Sequence, residues 1–249
     1  MIDRILSHRS IRKFTNAEIP DDVLNKILLA GTRASTTGNM QVYSIILTTN
    51  QIQKERLCQS HFKQNMVLNA PIHLTFCADF NRFSLWCKAR KAEPGYDNFL
   101  SFFTAAIDAL LVSQNVAIAA EAEGLGICYL GTATYNADQI IEILELPKLV
   151  IPVAAMVLGY PDEAPGLTDR LPLNGVIHSE KYRNYSESDL DRIYAEKESL
   201  AQSMELLRVN HTETLAQIFT DKRYAKKDNQ FFSVKYLKTI IDQGFMNNE

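Results

Sequence analysis

The chain has 249 residues, 46% hydrophobic and 22% charged, enough apolar material for one large domain or one and a half. A net charge of −3 argues against a nucleic-acid binder, which carries a basic excess or stripe. The four cysteines (Cys58, Cys77, Cys87 and Cys128) form no CxxC pair and no Cys/His cluster at metal-ligand spacing, so no metal is expected and the usage fits a reducing cytoplasm.

In chain order, residues 2–8 read as a short helix. The opening Met-Ile-Asp-Arg shows no apolar signal core, which again points to a cytoplasmic protein. A second helix follows Pro20, with Asp21 or Asp22 as cap, Val23, Ile27 and Leu28 on one face, and Gly31 as its stop. Residues 42–49 and 72–78 are β-branched and aromatic and read as strands, with a polar helix at 51–60 between them. A long apolar helix is expected over 97–123, capped by Asp97 and stopped by Gly124. Its mid-length Asp108 argues for burial in protein rather than in a membrane. Residues 126–130 form a short strand, 137–146 a helix ended by Pro147, and 150–158 a buried strand closed by Gly159. Residues 160–180 are a loop. Beyond Ser186 the composition turns charged and helical, over 188–209 and about 229–244. These helices lack strands to build a core of their own, so they are expected to pack on the main domain or on another subunit. The alternation of strands and helices suggests an α/β or α+β sheet covered on both faces.

Four stations carry candidate chemistry. The first is His8-Arg9-Ser10-Ile11-Arg12-Lys13-Phe14: two guanidiniums three residues apart, with a hydroxyl between them, can converge on one small anion. The second is Ser35-Thr36-Thr37-Gly38-Asn39-Met40-Gln41, a loop whose free backbone N–H groups can hold phosphate oxygens or a heteroaromatic edge. The third, Gly124 to Thr132, ends a helix, makes a strand and leaves Gly131 where a ligand can approach the backbone. It follows a helix and is not GxGxxG. The fourth, Gly166 to Pro172, places Arg170 in a rigid loop. No GxSxG, HExxH or phosphate-binding P-loop is present, which points to chemistry carried by a bound cofactor.

In this order the stations resemble the nitroreductase/FMN reductase family, in its branch of NADPH-dependent, oxygen-insensitive nitroreductases and flavin reductases. The matching segments are HRSIRKF, STTGNMQ, FCADFNR at 76–82, AAEAEGLGICYLG at 119–131 and DRLP at 169–172. The resemblance implies an α+β nitroreductase-like fold: a mixed central sheet flanked by helices, a long central dimer helix and a helical C-terminal arm. It implies an FMN-binding domain over 1–185 and a helical extension over 186–249 that packs on the dimer. The implied protein is a homodimer with FMN at the subunit interface, NADPH or NADH as co-substrate, and a nitroaromatic, quinone or free flavin as acceptor. His8, Arg9, Ser10, Arg12, Thr36 and Arg170 would hold the phosphate and ribityl end. Gln64 would touch the isoalloxazine, and the backbone of Tyr129, Leu130, Gly131 and Thr132 would lie beside the ring. No side chain is expected to be catalytic, since flavin N5 carries the hydride.

The chain departs from that branch twice. Thr168 stands two residues before Arg170 where a lysine is common, and Gly131-Thr132-Ala133-Thr134 replaces a Gly-Gly-x-Arg pattern. Two other readings remain open: a reductive dehalogenase or enone reductase on the same fold, selected by Arg82, Trp86, Lys88, Arg90 and Lys91, or a non-enzymatic flavin carrier. The basic cluster Lys222, Arg223, Lys226 and Lys227 fits either a 2′-phosphate site or a solvated turn between Asp221 and Asp228.

Overall fold

The β-branched runs fold as strands and one long helix crosses them. A computed structural model describes residues 2–247. By internal contacts the chain divides into two units, Met1–Gly166 with Ser233–Glu249, and Leu167–Phe232. The first unit holds α1 (Ile2–Leu6), α2 (Asp21–Gly31), β1 (Tyr43–Thr48), α3 (Gln51–Ser60), α4 (Met66–Asn69), β2 (Ile72–Asp79), α5 (Asn81–Ala89), α6 (Phe99–Ala122), β3 (Gly126–Leu130), α7 (Ala137–Leu144) and β4 (Val150–Gly159). The second holds α8 (Glu187–Ser199), α9 (Ala201–Asn210), α10 (Leu215–Gln217) and the start of α11 (Lys226–Asp242).

The strands pair in the order β1-β2-β4-β3. The α+β class holds, but the three strand ladders among the described residues all run antiparallel, where the family resemblance implies a mixed sheet. Among the described residues parallel pairing is confined to one bridge, Ser10 to Ile127, where the extended N-terminal segment lies along the edge of β3. Pro152 sits inside β4 without breaking it. The register shifts beside it, opposite Phe76 and Cys77, and β3 pairs only from Ala155 onward.

α6 covers one face of the sheet. Ala109, Val112, Val116 and Ala120 pack there with Leu24 and Ile27 of α2 and with Leu74, Phe76, Met156 and Leu158 of the strands. On the other face Leu57, Val67, Ile140, Ala155 and Val157 form a second cluster. The C-terminal segment supplies Ile240 and Phe245 to a third, against Val42, Phe80, Phe102 and Ile151. α6 is long and apolar enough to span a membrane by length and composition alone. Its packing across the sheet accounts for that composition. The opposite stripe of α6 (Leu100, Phe103, Ile107, Leu110, Leu111) is exposed.

Several local expectations are corrected. Pro20, with its ring-set φ of −57°, is the cap residue of α2. Asp21 and Asp22 lie in the first turn, where carboxylates favour the helix dipole. Asn98, not Asp97, caps α6 and accepts from Ser101 N at 3.0 Å, while the Asp97 carboxylate accepts from Asn247. The expected helix over 188–209 is two helices, because Leu200 turns extended at ψ 137° and Ser186 and Asp189 form a capping box ahead of α8. α4 and α5 are short helices that hydrophobic periodicity does not announce. The contact division at 166/167 and 232/233 also differs from the compositional boundary at 185/186. Gly175, in the loop before α8, packs on Ile193 of that helix, and the end of α11 fills the core of the first unit.

Gly31 ends α2 for a packing reason: a Cβ there would stand 2.4 Å from Val116 Cγ2 on α6. Gly31→Ala is expected to destabilise the fold by about 1–3 kcal/mol through overpacking. The urea unfolding midpoint checks this, and an unchanged midpoint would show that the α2–α6 contact is not tight.

Candidate functional site

The first station is an extended strip docked on β3. Ile11 N donates to Ile127 O at 2.8 Å, and Gly126 leaves room for the Ile11 side chain, which a Cβ would meet at 2.6 Å. The strip is held at both ends. His8 Nδ1 pairs with Glu121 Oε1 at 2.6 Å, near the end of α6, and the Glu163 carboxylate accepts from the backbone N–H groups of Arg12 and Lys13. Those bonds, the one from Arg12 first, hold the Glu163 carboxyl below its ordinary pKa. Ser10 is half-buried in the bridge. Arg9 and Arg12 are exposed, and neither guanidinium has a carboxylate within ion-pair distance among the described residues. Arg9 borders a cleft of about 240 Å³ with Arg4, Ile11, Glu121 and Pro161. Arg12 lies close enough to Cys128 to work against the rise that burial imposes on that thiol.

The second station is anchored by a residue whose role the sequence reading missed. Asp108, fully buried on α6, accepts from Thr37 N at 2.9 Å and Val42 N at 3.3 Å. Between those points Gly38, Asn39 and Gln41 all take left-handed φ near 55°, which for Asn39 and Gln41 is a strained conformation. Arg82 donates to the carbonyls of Gln41 and Tyr43, and Asp79 accepts from Ser44 Oγ and Arg82 N. The FCADFNR segment is therefore the brace of this loop, and its arginine is engaged there rather than offered to a substrate. Thr36 is half-buried at the mouth of the loop.

The third station is the turn after β3. Tyr129 OH donates to Ser113 Oγ at 3.0 Å and Leu130 is buried, so these two residues offer the site backbone only. A Cβ on Gly131 would meet nothing within 4 Å. The Thr132 hydroxyl sits 2.7 Å from His61 Nδ1 and 3.4 Å from Gln64 Nε2. Gln64 also donates to His61 O at 3.0 Å, across a turn in which Phe62 and Lys63 are both left-handed. His61 and His73 are buried, and burial pushes their pKa values down to about 4 and about 3.

Arg170 belongs to the second unit. Its Nη1 donates to Thr168 Oγ1 at 2.9 Å and to Asp169 O at 2.8 Å, so Thr168 holds the arginine in its own loop. The Asp169 carboxyl is held below its ordinary value, first by its hydrogen bond to Lys197. In the basic cluster, Arg223 lies over the Phe219 ring at 6.0 Å.

Within one chain the basic strip and the hydroxyl loop stand apart. The strip is clasped at Glu121 and the hydroxyl loop at Asp108, 13 residues or about 20 Å apart along α6. The strip also lies at the β3 edge of the sheet and the loop at the β1 edge.

A model of the nitroreductase family matches residues 5–160. The chain belongs to the nitroreductase family. Among curated relatives of this nitroreductase-family protein, an NADPH-flavin oxidoreductase from Vibrio harveyi is 35% identical over 191 residues, 76% of this chain and 77% of the relative. An oxygen-insensitive NADPH nitroreductase from Salmonella typhimurium is 33% identical over 95% of both. Among solved structures, an oxidoreductase from Bacteroides fragilis, described as putative, superposes at TM-score 0.97 with 50% identity, covering 98% of this chain and 100% of its own. The NADPH:FMN oxidoreductase of Vibrio harveyi, complexed with NAD+, superposes at 0.79 with 29% identity over 99% of both.

Two outcomes follow from the buried polar groups of this nitroreductase-family chain. Asp108→Asn leaves one N–H facing an amide N–H and is expected to cost about 1.5–3 kcal/mol. Amide exchange at Thr37 and Val42 should accelerate, and unchanged exchange would refute the anchoring role. For His61 and His73 the folded pKa lies below the ordinary 6.5. Their contribution to stability is therefore full above about pH 6.5 and is lost as pH falls toward about 4 and then about 3. The denaturant midpoint measured against pH shows that slope, and His73→Phe should flatten part of it; an equally steep slope in the variant would contradict the assignment.

Proposed function

We propose that this chain is an FMN-dependent NAD(P)H oxidoreductase. It passes reducing equivalents by ping-pong hydride transfer to a nitroaromatic, quinone or free flavin, and works as a cytoplasmic homodimer. The observation that carries the reading is the pair of exposed guanidiniums, Arg9 and Arg12, on a rigid strip with no carboxylate partner among the described residues. Such a strip suits a phosphate, which arginine forks meet oxygen by oxygen. The open space before Gly131 suits a flat ring against the backbone, since neither backbone strain nor packing there demands glycine. FMN bound at these residues would supply hydride acceptance and release at N5.

The chain's own residues then have distinct tasks. Arg9, Arg12 and Ser10 bind the phosphate end, with His8 beside them on its Glu121 anchor, and Arg170 is assigned to the same end. Thr36 and its loop contribute hydroxyl and backbone N–H donors. Gln64 and the Tyr129 to Thr132 backbone orient the ring and place N–H donors where charge develops, in the manner of an oxyanion site. The separation of about 20 Å between the two anchors along α6 supports a homodimer, because the loop that completes each site would then come from the second copy. The exposed apolar stripe of α6 supports the same reading. The domain reading, a flavin-binding part over 1–185 and a helical extension over 186–249, is kept as part of this proposal.

The test is the visible absorption of the purified protein, before and after NADPH and then NADH without oxygen. Flavin bands that bleach with one nucleotide are expected; bands that persist with both would favour the carrier reading. Arg12→Ala should weaken FMN binding by about 1.5–3 kcal/mol, roughly 10- to 100-fold, in a titration of the apoprotein. Unchanged binding would refute the phosphate assignment.

A further inference from the structure

Two aromatic rings flank the turns assigned to the flavin ring, and the redox reading uses neither. Phe62 is 51% exposed. Its ring meets that of half-buried Tyr135 edge to face, with centroids 6.3 Å apart and planes at 74°. Phe62 stands just before Lys63 and Gln64, and Tyr135 N donates to Thr132 O at 3.1 Å. The Thr132 hydroxyl lies 2.7 Å from His61 Nδ1 and 3.4 Å from Gln64 Nε2, so the two turns are fastened together beside the aromatic pair.

The fold accounts for the backbone at Phe62 but not for its side chain. α3 ends in a Schellman turn: Phe62 N donates to Gln59 O at 3.2 Å and Lys63 N to Cys58 O at 2.8 Å. That turn calls for a left-handed residue just past the cap, and Phe62 supplies it with φ 54°. Glycine meets the demand without strain, whereas a bulky side chain there is an outlier. Burial offsets little of this, because half of Phe62 faces solvent. The chain therefore keeps a strained, half-exposed aromatic ring where glycine suits the backbone better. Strain of this kind clusters where a side chain is needed for binding or catalysis. Tyr135 sits in the turn that follows Gly131, where a Cβ would meet nothing within 4 Å. Its edge-to-face contact holds the two ring planes at a fixed angle, and the pair makes a corner of aromatic surface next to that opening. Such a corner holds a flat ligand by stacking, and holds it better as the ligand's π surface grows.

We propose that Phe62 and Tyr135 form the aromatic wall of the acceptor slot and select fused-ring acceptors, such as bicyclic quinones, over single-ring ones. The proposal rests on the flavin reading above and narrows its acceptor class.

The test is steady-state turnover of the FMN-loaded protein with 1,4-naphthoquinone and 1,4-benzoquinone, at saturating levels of the nucleotide that bleaches the flavin. The two acceptors take up two electrons and two protons alike and differ by one fused ring. KM should be lower for naphthoquinone in the unmodified protein. In Phe62→Gly that KM ratio should shrink about tenfold, with the kcat ratio unchanged. Phe62→Tyr should keep the ratio. Tyr135→Ala should shrink it, and adding Phe62→Gly to Tyr135→Ala should shrink it by less than the two separate effects combined. The urea midpoint of Phe62→Gly should stay level or rise, because glycine relieves the left-handed backbone. An unchanged KM ratio in the glycine variant, a change carried by kcat, or an equal loss in the tyrosine variant would overturn the proposal. A lower midpoint or weaker self-association in sedimentation, at an unchanged KM ratio, would also overturn it, by making the ring a residue of the fold or of the dimer. Bound flavin with an unchanged ratio strikes the wall alone; an unmodified protein with no flavin bands and no turnover of either quinone strikes the flavin reading and the proposal with it.

Discussion

The carboxylate of Asp108 is the contact on which the rest of the site depends. A carboxylate with no solvent exposure costs several kcal/mol unless its oxygens are satisfied, and here both accept backbone N–H groups from one loop. That loop contains three left-handed residues, so regular hydrogen bonding cannot hold it. It keeps its shape because a rigid helix reaches in from one side and Arg82 from the other. The helix that carries Asp108 also carries Glu121, which fixes His8 and with it the basic strip. One rod, packed across the sheet by Val112 and Val116, therefore sets the positions of both the basic strip and the hydroxyl loop.

The same rod keeps those elements apart. The strip and the hydroxyl loop therefore do not face one another within a single chain. The proposed homodimer resolves this, with the exposed stripe of Phe103, Ile107, Leu110 and Leu111 lying on the helix between the two anchors. Burying an aliphatic or aromatic side chain of that size stabilises by about 1.5–3 kcal/mol, so covering the stripe would stabilise the proposed dimer substantially.

Much of this was legible in the chain. The strands at 42–49 and 72–78 announce themselves by β-branching, and Gly124 does end the long helix, at φ +83°. The turn and the hydroxyl loop lie where their motifs place them, whereas the Arg9–Arg12 spacing, which faces one way on a helical turn, falls on an extended strip instead. What could not be read was long-range. Asp108 looked like an argument about membranes, because nothing local shows that residues 37 and 42 would fold onto it. His61 and His73 are single histidines in unrelated segments, and only the α3–β2 packing brings their rings together. Asn98 displaced Asp97 as a cap because Asp97 is engaged by Asn247, at the opposite end of the sequence. Arg82 looked free for substrate because the loop it braces precedes it by some 40 residues.

The central claim is that each flavin site draws its phosphate strip from one chain and its hydroxyl loop from another. Hybrid dimers test it most directly. Arg12→Ala and Thr36→Trp chains, differently tagged, are co-expressed, and the mixed dimer is isolated and titrated with FMN. The account predicts that the mixed dimer regains one site of unmodified affinity, built from the two unmutated halves, while each parent dimer binds weakly at both. A mixed dimer as weak as its parents at both sites would place strip and loop in the same chain's site and contradict the account.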